Sequence, residues 1–247
     1  MTTKLLSISA DAKTIKGDKK GILTGILYLA PYDLSGFQVC PKSTDACRKS
    51  CLFTAGRGVY DMVKNARIRK TKWFFTDRQA FMLQLYHDIR FLIRKANKLN
   101  MIPAVRLNGT SDLAWEKFSF EVDGITFPNL MTAFPEVIHY DYTKILNRKS
   151  VANIPNYHLT FSLSESNDKE ALKALSAGMN VAVVVNTKRK QVKPSTFSGY
   201  PAIDGDIDDT RFLDDKGNII LLTAKGKARY DKSGFVKSLD YVIGGNS

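Results

Sequence analysis

Short apolar runs recur along the chain, and most of them end in a group of polar or charged residues. Seven of these runs have the length of β-strands and are followed by such a polar group. They are Ile22 to Leu29, Ile102 to Leu107, Val137 to Tyr140, Tyr157 to Phe161, Asn180 to Val185, Ala202 to Ile203 and Ile219 to Leu222. The pattern predicts seven strands that carry polar residues at their carboxyl ends.

Segments with a helical pattern lie between many of these strand candidates. They are Tyr60 to Phe75, Asp77 to Leu99, Ser111 to Phe118 and Asp168 to Ala177. In the second segment the apolar side chains fall close to one stripe and the charged side chains lie elsewhere, as in a helix that covers a sheet from outside. The residues of the stripe are Phe81, Leu85, Ile89, Leu92 and Ala96.

The alternation of strands and helices predicts an α/β fold with a mostly parallel sheet. We expect a single domain over residues 1–247, because no long linker or low-complexity run divides the chain. The predicted architecture is a full or partial (β/α) barrel of the TIM type. An open doubly wound sheet is the alternative, because the sequence does not show whether the sheet closes.

Parallel sheets collect their functional groups at the carboxyl ends of the strands. The polar residues that follow the predicted strands are therefore the candidate binding residues. They are Arg106, Asn108, Thr110, Asp112, Lys144, Glu165, Asp204, Asp206 and Lys225, and Asp141 and Ser162 belong to the same ring. Structural roles are the alternative, since Asp112 can cap a helix and Asp204 or Asp206 can pair with a basic side chain.

The chain is strongly basic, with 37 Lys and Arg residues, 24 Asp and Glu residues and a net charge of +13. This charge makes nucleic acid a candidate partner, while a basic face that only meets solvent is the alternative. The excess is concentrated in Lys64 to Lys72, Lys188 to Lys193 and Lys225 to Arg229. Because no apolar stretch approaches the length of about 20 residues that spans a membrane, we expect no membrane partner and a cytoplasmic, soluble protein.

All three cysteines, Cys40, Cys47 and Cys51, fall within twelve consecutive residues of a predicted loop at 31–58. In their C-x6-C-x3-C spacing the last pair would share one face of a helix, so that three thiolates converge. Three thiolates suit a [4Fe-4S] cluster with one open iron, because a closed zinc site needs four ligands and an odd number is a poor disulfide framework. Zinc with a distant Asp or His as a further ligand, and inert thiols, are the alternatives.

Seven segments, in their order along the chain, form a specific signature. They are SGFQVCPKSTDACRKSCLFTAGRG (Ser35 to Gly58), VRLNGTSD (Val105 to Asp112), YDYTK (Tyr140 to Lys144), NYHLTFSLSE (Asn156 to Glu165), NVAVVV (Asn180 to Val185), AIDGDIDDTRFLD (Ala202 to Asp214) and AKGKAR (Ala224 to Arg229). Together they resemble the phage-encoded gene-product-88 domain family over nearly the whole chain. The resemblance implies a phage origin and expression in a host cytoplasm, and it implies no particular reaction.

The cysteine segment also resembles that of radical SAM enzymes, which hold a [4Fe-4S] cluster in the loop after the first strand of a partial barrel. Its spacing differs from the usual C-x3-C-x2-C of that family. The resemblance implies that Cys40, Cys47 and Cys51 ligate the cluster and that Phe53 stands for the aromatic residue near the last cysteines. It further implies that S-adenosylmethionine binds the open iron.

These observations lead to two functional hypotheses. The first is a phage iron–sulfur protein, either a radical-SAM-like enzyme that acts on a small-molecule substrate or a redox protein. The second is a non-catalytic nucleic-acid-binding protein in which zinc or a cluster only stabilises the cysteine loop.

Overall fold

The computed structural model describes residues 4–8, 16–188 and 191–245. The chain divides into two compact units. Unit 1 consists of Met1–Pro41, Asp61–Asp141 and Asn147–His158, and unit 2 consists of Lys42–Tyr60, Tyr142–Leu146 and Leu159–Ser247. The expectation of a single domain stays a prediction.

The described residues form strands, α-helices and short 3-10 helices. The strands are β1 (Leu6–Ile8), β2 (Ile22–Leu27), β3 (Ile102–Arg106), β4 (Phe120–Val122), β5 (Ile125–Phe127), β6 (Ile138–Thr143), β7 (Tyr157–Ser162), β8 (Val181–Val185), β9 (Thr196–Phe197), β10 (Tyr200–Asp204) and β11 (Ile219–Thr223). The α-helices are α1 (Asp45–Lys49), α2 (Asp61–Thr76), α3 (Arg78–Lys98), α4 (Leu130–Ala133) and α5 (Asp168–Ser176). The 3-10 helices are Leu52–Thr54, Gly56–Val59, Trp115–Lys117, Lys149–Asn153, Arg211–Leu213 and Gly226–Tyr230.

Unit 1 is built on a mostly parallel sheet covered by α3. Strand β1 runs antiparallel to β2, while β2 pairs with β3 and β3 with β6 in parallel. The apolar stripe predicted for α3 is fully buried, which confirms its amphipathic pattern. The Asp77 side chain caps this helix by accepting the Ala80 amide, and the buried Asp88 accepts the amides of Leu5 and Leu6, which attaches β1 to α3.

A small hairpin, which the sequence analysis did not predict, also belongs to unit 1. Strands β4 and β5 pair antiparallel around Asp123 and Gly124, whose φ angles are 51° and 79°. Two consecutive positive φ angles are the requirement of the tight turn that an Asp-Gly pair favours between two strands. The hairpin was missed because each of its strands is only three residues long.

Unit 2 is built on four parallel strands and one antiparallel strand. Strand β8 pairs in parallel with β7 and β11, and β11 pairs in parallel with β10. Strand β9 lies at the edge and pairs antiparallel to β10. Strands β8 and β11 read as continuous apolar runs because both faces of a parallel sheet are covered. The apolar face of α5, with Ala171, Ala174 and Leu175, packs against this sheet in one buried cluster.

The structure confirms a mixed α/β fold with mostly parallel pairing, and all seven predicted strands are present. Barrel closure is not confirmed. Among the described residues, the strand order is β1-β2-β3-β6 in unit 1 and β7-β8-β11-β10-β9 in unit 2, and neither set closes on itself. No helix within the described ranges is both long and apolar enough to cross a lipid bilayer.

The helix predicted over Ser111 to Phe118 is wrong. Only a 3-10 turn, Trp115–Lys117, forms there. The polar groups of this segment are bonded to the side chain of Asn108, which accepts hydrogen bonds from the Ser111 hydroxyl and the Leu113 amide. These bonds offer the backbone an alternative to the helical ladder, as short polar side chains often do.

Candidate functional site

Asn108, which follows β3, organises the loop after that strand in unit 1. Its side-chain oxygen accepts hydrogen bonds from the Ser111 hydroxyl at 2.8 Å, the Leu113 amide at 2.9 Å and the Trp115 indole N–H at 3.0 Å. Its side-chain amide donates to the Leu113 carbonyl at 3.0 Å. Because Asn108 is buried and these contacts use its amide, its role in the structure is to hold the loop.

A chain of buried polar residues continues from Asn108 through unit 1. The Asp141 carboxylate accepts hydrogen bonds from the backbone amide of Asn108 at 2.7 Å and from the Tyr157 hydroxyl at 2.9 Å. Arg148 donates to the Tyr157 hydroxyl at 3.1 Å. It also forms a bidentate salt bridge with Glu116, donating one hydrogen bond to each carboxylate oxygen. We call Asn108, Asp141, Tyr157, Arg148 and Glu116 the Asp141 network. Its hydrogen bonds give the Asp141 and Glu116 carboxylates and the Tyr157 hydroxyl buried partners, as is usual for buried polar groups.

Burial shifts the pKa values of two residues of β6, Asp141 and His139, in opposite directions. It raises the pKa of Asp141 to about 7, against the Asn108 amide and the charge of Arg106, which favour the carboxylate. It lowers the pKa of His139 to about 4, although the Val137 carbonyl favours the protonated ring. Arg106, which ends β3, thus contributes its charge to the surroundings of Asp141, and its predicted role as a binding residue stays a prediction.

Cys40 lies in unit 1 beside the loop that follows β3. Its sulfur accepts the Tyr32 amide at 3.4 Å and lies 3.9 Å from the Thr110 carbonyl oxygen. The Asp112 amide donates to the Val39 carbonyl at 2.8 Å. The structure therefore brings Cys40, Thr110 and Asp112 together.

In unit 2, the acidic residues that follow β10 form an ion-pair network with two lysines. Asp206 accepts Lys193 at 3.0 Å, Lys225 at 3.0 Å and the Thr223 amide at 2.8 Å. Asp204 accepts Lys193 at 2.6 Å. We call Lys193, Asp204, Asp206 and Lys225 the Asp206 network. It brings together three of the predicted site residues and supports the structural alternative that was given for the two aspartates.

Two further predicted residues of unit 2, Lys144 and Glu165, also have polar or charged neighbours. Lys144 donates to the Ser162 hydroxyl at 2.9 Å, and its ammonium group lies 5.7 Å from the centre of the Phe235 ring. Glu165 contributes to the field around the buried Lys237. Burial lowers the pKa of Lys237, while Asp168 and Glu165 oppose this shift.

Cys47 and Cys51 lie in unit 2 on either side of the end of α1. The Thr44 side chain caps this helix by accepting the Cys47 amide at 3.1 Å. The helix ends at Lys49, and Cys51 precedes the 3-10 helix Leu52–Thr54. The expectation that both cysteines share one helical face is therefore wrong, because the chain leaves the helix before it reaches Cys51.

The three cysteines form no disulfide bond, and each is half-buried. Within the described residues, no group of three or more His, Cys, Asp or Glu side chains is arranged to hold a metal ion. The prediction of a metal or cluster site is therefore not confirmed. The thiols retain the donor chemistry that soft metals and iron–sulfur clusters require.

The basic helix predicted over Lys64 to Lys72 uses part of its charge inside unit 1. The Arg67 guanidinium group lies 4.8 Å from the centre of the Tyr28 ring, and Lys70 donates to the Leu5 carbonyl at 2.8 Å. In the second basic group, Arg189 and Lys190 lie outside the described residues, and Lys193 belongs to the Asp206 network. The third group, from Lys225 to Arg229, forms part of the 3-10 helix Gly226–Tyr230 and its approach.

Sequence reasoning missed several residues that the structure places in these networks. Glu116 and Arg148 are 32 positions apart and neither lies at the end of a predicted strand, so no local pattern joins them. The sequence places Lys193 in a basic group and gives no signal for Lys237. Tyr157 begins a predicted strand, and the need of a buried hydroxyl for a partner is the signal that could have identified it.

Comparison with known proteins supports the signature that the seven segments form. A family model described as Gene product 88 matches residues 4–239. Neither the comparison with curated proteins nor that with solved structures finds a match. Since the family match covers nearly the whole chain, the chain belongs to the gene product 88 family.

Proposed function

We propose that the protein is an iron–sulfur protein whose cluster is ligated by Cys40, Cys47 and Cys51. The observation that carries the proposal is that all three cysteines of the chain are half-buried, form no disulfide and fall within twelve consecutive residues. Inert core cysteines would be fully buried, whereas cluster ligands must remain accessible to iron and sulfide. The proposal rests on this spacing and on the surroundings of each cysteine within its own unit.

The Tyr32 amide donates a hydrogen bond to the sulfur of Cys40 at 3.4 Å. Hydrogen bonds to sulfur tune the potential of an iron–sulfur cluster, so this amide would act on a cluster bound there. The amide of Asp112 and the carbonyl of Val39 are hydrogen-bonded at 2.8 Å, which holds the residue before Cys40 to the loop after β3. Cys40 is therefore positioned by backbone contacts that do not depend on its own side chain.

Basic residues accompany Cys47. Arg48 and Lys49 follow it directly in α1, and the Arg48 guanidinium group donates to the Ser43 hydroxyl at 3.1 Å. Positive charge near the cysteines would offset the negative charge of a ligated cluster. Three thiolates leave one iron of a [4Fe-4S] cluster open to substrate, to S-adenosylmethionine or to a protein carboxylate.

The first experiment measures iron, acid-labile sulfide and zinc in protein purified without oxygen. We expect about four irons and four sulfides per chain and a brown chromophore. Cys47→Ala should lose the chromophore, while Lys42→Ala, which changes an exposed residue of the same loop, should retain it. Stoichiometric zinc, or metal-free protein after anaerobic reconstitution, would contradict the proposal.

A second assay asks whether the open iron binds S-adenosylmethionine. The reconstituted protein is reduced with dithionite, which supplies the electron, and is assayed for methionine and 5′-deoxyadenosine. Formation of both products in wild type and neither in Cys47→Ala would support a radical-SAM-like activity. A cluster without either product would favour a redox protein.

The proposal also includes a closed or partly closed sheet and a location in the host cytoplasm. We infer a sheet that closes fully or partly into a (β/α) barrel, and a protein that acts in the host cytoplasm, where thiols stay reduced. An experimental structure tests the first expectation, and fractionation of infected cells tests the second.

A second candidate function is nucleic-acid binding, which the net charge of +13 favours. Lysines and arginines that neutralise phosphates release counterions, so the affinity for nucleic acid falls steeply as salt is added. Binding of labelled DNA or RNA that weakens between about 50 and 200 mM salt would support this function. Absent or salt-insensitive binding would count against it.

A further inference from the structure

Two loop segments of unit 2 are held against each other by hydrogen bonds and by a close approach of their backbones. The first contains the 3-10 helices that follow Cys51, and the second is the 3-10 helix Gly226–Tyr230. The Lys227 amide donates to the Thr54 hydroxyl at 3.2 Å, and the Ser50 hydroxyl donates to Asp231 at 3.3 Å. A Cβ atom added to Gly226 would lie 2.8 Å from the Thr54 carbonyl oxygen, so the two backbones approach as closely as a glycine allows.

These two segments carry a concentrated positive charge. Residues 42–60 and residues 224–233 each contain four Lys or Arg residues and one Asp, which gives each segment a net charge of +3. Of the two acids, Asp231 accepts hydrogen bonds from Ser50, Ser233 and the Val236 amide. The exposed cations of the two segments are Lys42, Lys49, Arg57, Lys227, Arg229 and Lys232.

Large apolar and aromatic side chains are exposed on the same two segments. The exposed fractions are 50% for Leu52, 63% for Tyr60 and 83% for Tyr230. Tyr230 directly follows Arg229 and ends the 3-10 helix whose start contacts Thr54. We call Leu52, Arg57, Tyr60, Lys227, Arg229 and Tyr230 the loop surface.

Aromatic rings next to unburied cations match the chemistry of single-stranded nucleic acid. Bases stack on aromatic faces whatever their sequence, and lysines and arginines track the phosphates. A duplex would hide its base faces, so the exposed tyrosines would then have no role. An acidic protein would satisfy the cations without using the rings.

We propose that the loop surface binds single-stranded nucleic acid by base stacking on Tyr230 and Tyr60 and by phosphate contacts with Arg57, Lys227 and Arg229. The proposal deepens the second candidate function and rests on it, and it is independent of whether the cysteines hold a cluster. The basic helix α2 is not part of the proposed surface, because its Arg67 and Lys70 side chains already contact residues of unit 1.

The test measures fluorescence anisotropy with a labelled single-stranded oligonucleotide of about 16 nucleotides, at a series of salt concentrations. Lys227→Gln/Arg229→Gln removes two phosphate contacts and should reduce the magnitude of the salt slope by about 1.4. Lys95→Gln/Lys98→Gln, which removes the same charge from the exposed end of α3 in unit 1, is the matched control and should leave the slope near its wild-type value.

Tyr230→Ala tests the stacking contact separately. It should weaken binding by about 5- to 150-fold without changing the salt slope, because stacking releases no counterions. Circular dichroism checks that each variant is folded. Since Tyr230 is exposed, this substitution removes no core packing.

The outcomes separate the two proposals. One outcome is that the wild type binds the oligonucleotide with a steep salt dependence while the loop variants behave like the α3 control. In that case the proposed role of the loop surface is wrong and the second candidate function stands. If the wild type does not bind any nucleic acid, both fail. Equal affinity for duplex DNA or for polyglutamate, unchanged in Tyr230→Ala, would replace single-stranded recognition with general polyanion binding or with an acidic protein partner.

Discussion

The Asp141 network of unit 1 and the Asp206 network of unit 2 each include an acidic residue of a parallel strand, Asp141 in β6 and Asp204 at the end of β10, yet they hold charge differently. In the first, the side chains of Arg148 and Glu116 are 3% and 0% exposed. In the second, Asp204 and Asp206 keep 31% and 22% of their side-chain surface exposed. The Arg148–Glu116 pair is shielded from water, whereas the partly exposed carboxylates of Asp204 and Asp206 can exchange partners with water or a ligand. Position at a strand end therefore does not by itself identify a binding residue.

The largest effect is expected when the buried ion pair of unit 1 is broken. Glu116→Gln leaves the charge of Arg148 buried without its carboxylate, which should lower the free energy of unfolding by about 3–5 kcal/mol. Urea denaturation measures this loss. The double variant Glu116→Gln/Arg148→Met removes both charges and should recover part of the stability. A single variant within about 1 kcal/mol of wild type would contradict a structural role for the pair.

The pH dependence of stability should show two opposing contributions within unit 1. The pKa of Asp141 is raised to about 7, so the folded state holds a proton that the unfolded state has lost, and this contribution to stability falls as pH rises from about 4 to 7. The pKa of His139 is lowered to about 4, so its contribution rises with pH from about 4 to 6.5. The two shifts correspond to at most about 4 and 3 kcal/mol, and they largely cancel below pH 6.5.

Single variants should separate these contributions. Asp141→Asn leaves the His139 contribution, so its stability should rise between pH 4 and 6.5, while that of His139→Phe should fall over the same range. The charged groups that face Asp141 are Arg106 and Arg148, and His158 faces His139; all three remain in both variants. Urea denaturation at several pH values measures the slopes. Slopes of the same sign would contradict the assignment.

Alanine substitutions at two tightly packed glycines, one in each unit, should lower the free energy of unfolding more than the same substitution at a third glycine. A Cβ atom at Gly109 would lie 2.7 Å from the Leu27 carbonyl oxygen, and one at Gly205 would lie 2.5 Å from a methyl group of the buried Ile220. We expect Gly109→Ala and Gly205→Ala each to cost about 2–3 kcal/mol through overpacking. Gly25→Ala, whose closest contacts are 3.3 Å away at the ends of leucine side chains, should cost less than about 1 kcal/mol. Thermal unfolding gives the ranking, and an equal loss in all three variants would contradict it.

The smallest effect is expected from the Asp206 network. Lys193→Met removes a partner of both aspartates, but Asp204 and Asp206 are partly exposed and Asp206 keeps Lys225. The loss in unfolding free energy should be about 1–2 kcal/mol. Lys188→Met, at an exposed position, should change stability by less than about 0.5 kcal/mol. A loss as large as that of Glu116→Gln would remove the difference between the two networks.

Much of the fold could be predicted from the sequence, but less of the candidate site. The parallel strands and α3 carry their signal locally, in apolar runs and in a stripe at helical spacing. Hydrogen bonds donated by Ser111 and Leu113 to the Asn108 side-chain oxygen replace the helix expected at Ser111 to Phe118, and no local sequence pattern reveals them. The end of α1 before Cys51 is likewise set by details of its last turn.

The sequence alone determined the strand order along the chain, the amphipathic face of α3, the family signature and the close spacing of the three cysteines, because each is a property of neighbouring residues. Only the tertiary structure decided which strand-end residues are buried together. Glu116, Arg148 and Tyr157 come from different segments, and the pKa of Asp141 reflects the burial that their packing produces. Burial and long-range pairing arise from the whole fold, so residue type and spacing cannot specify them.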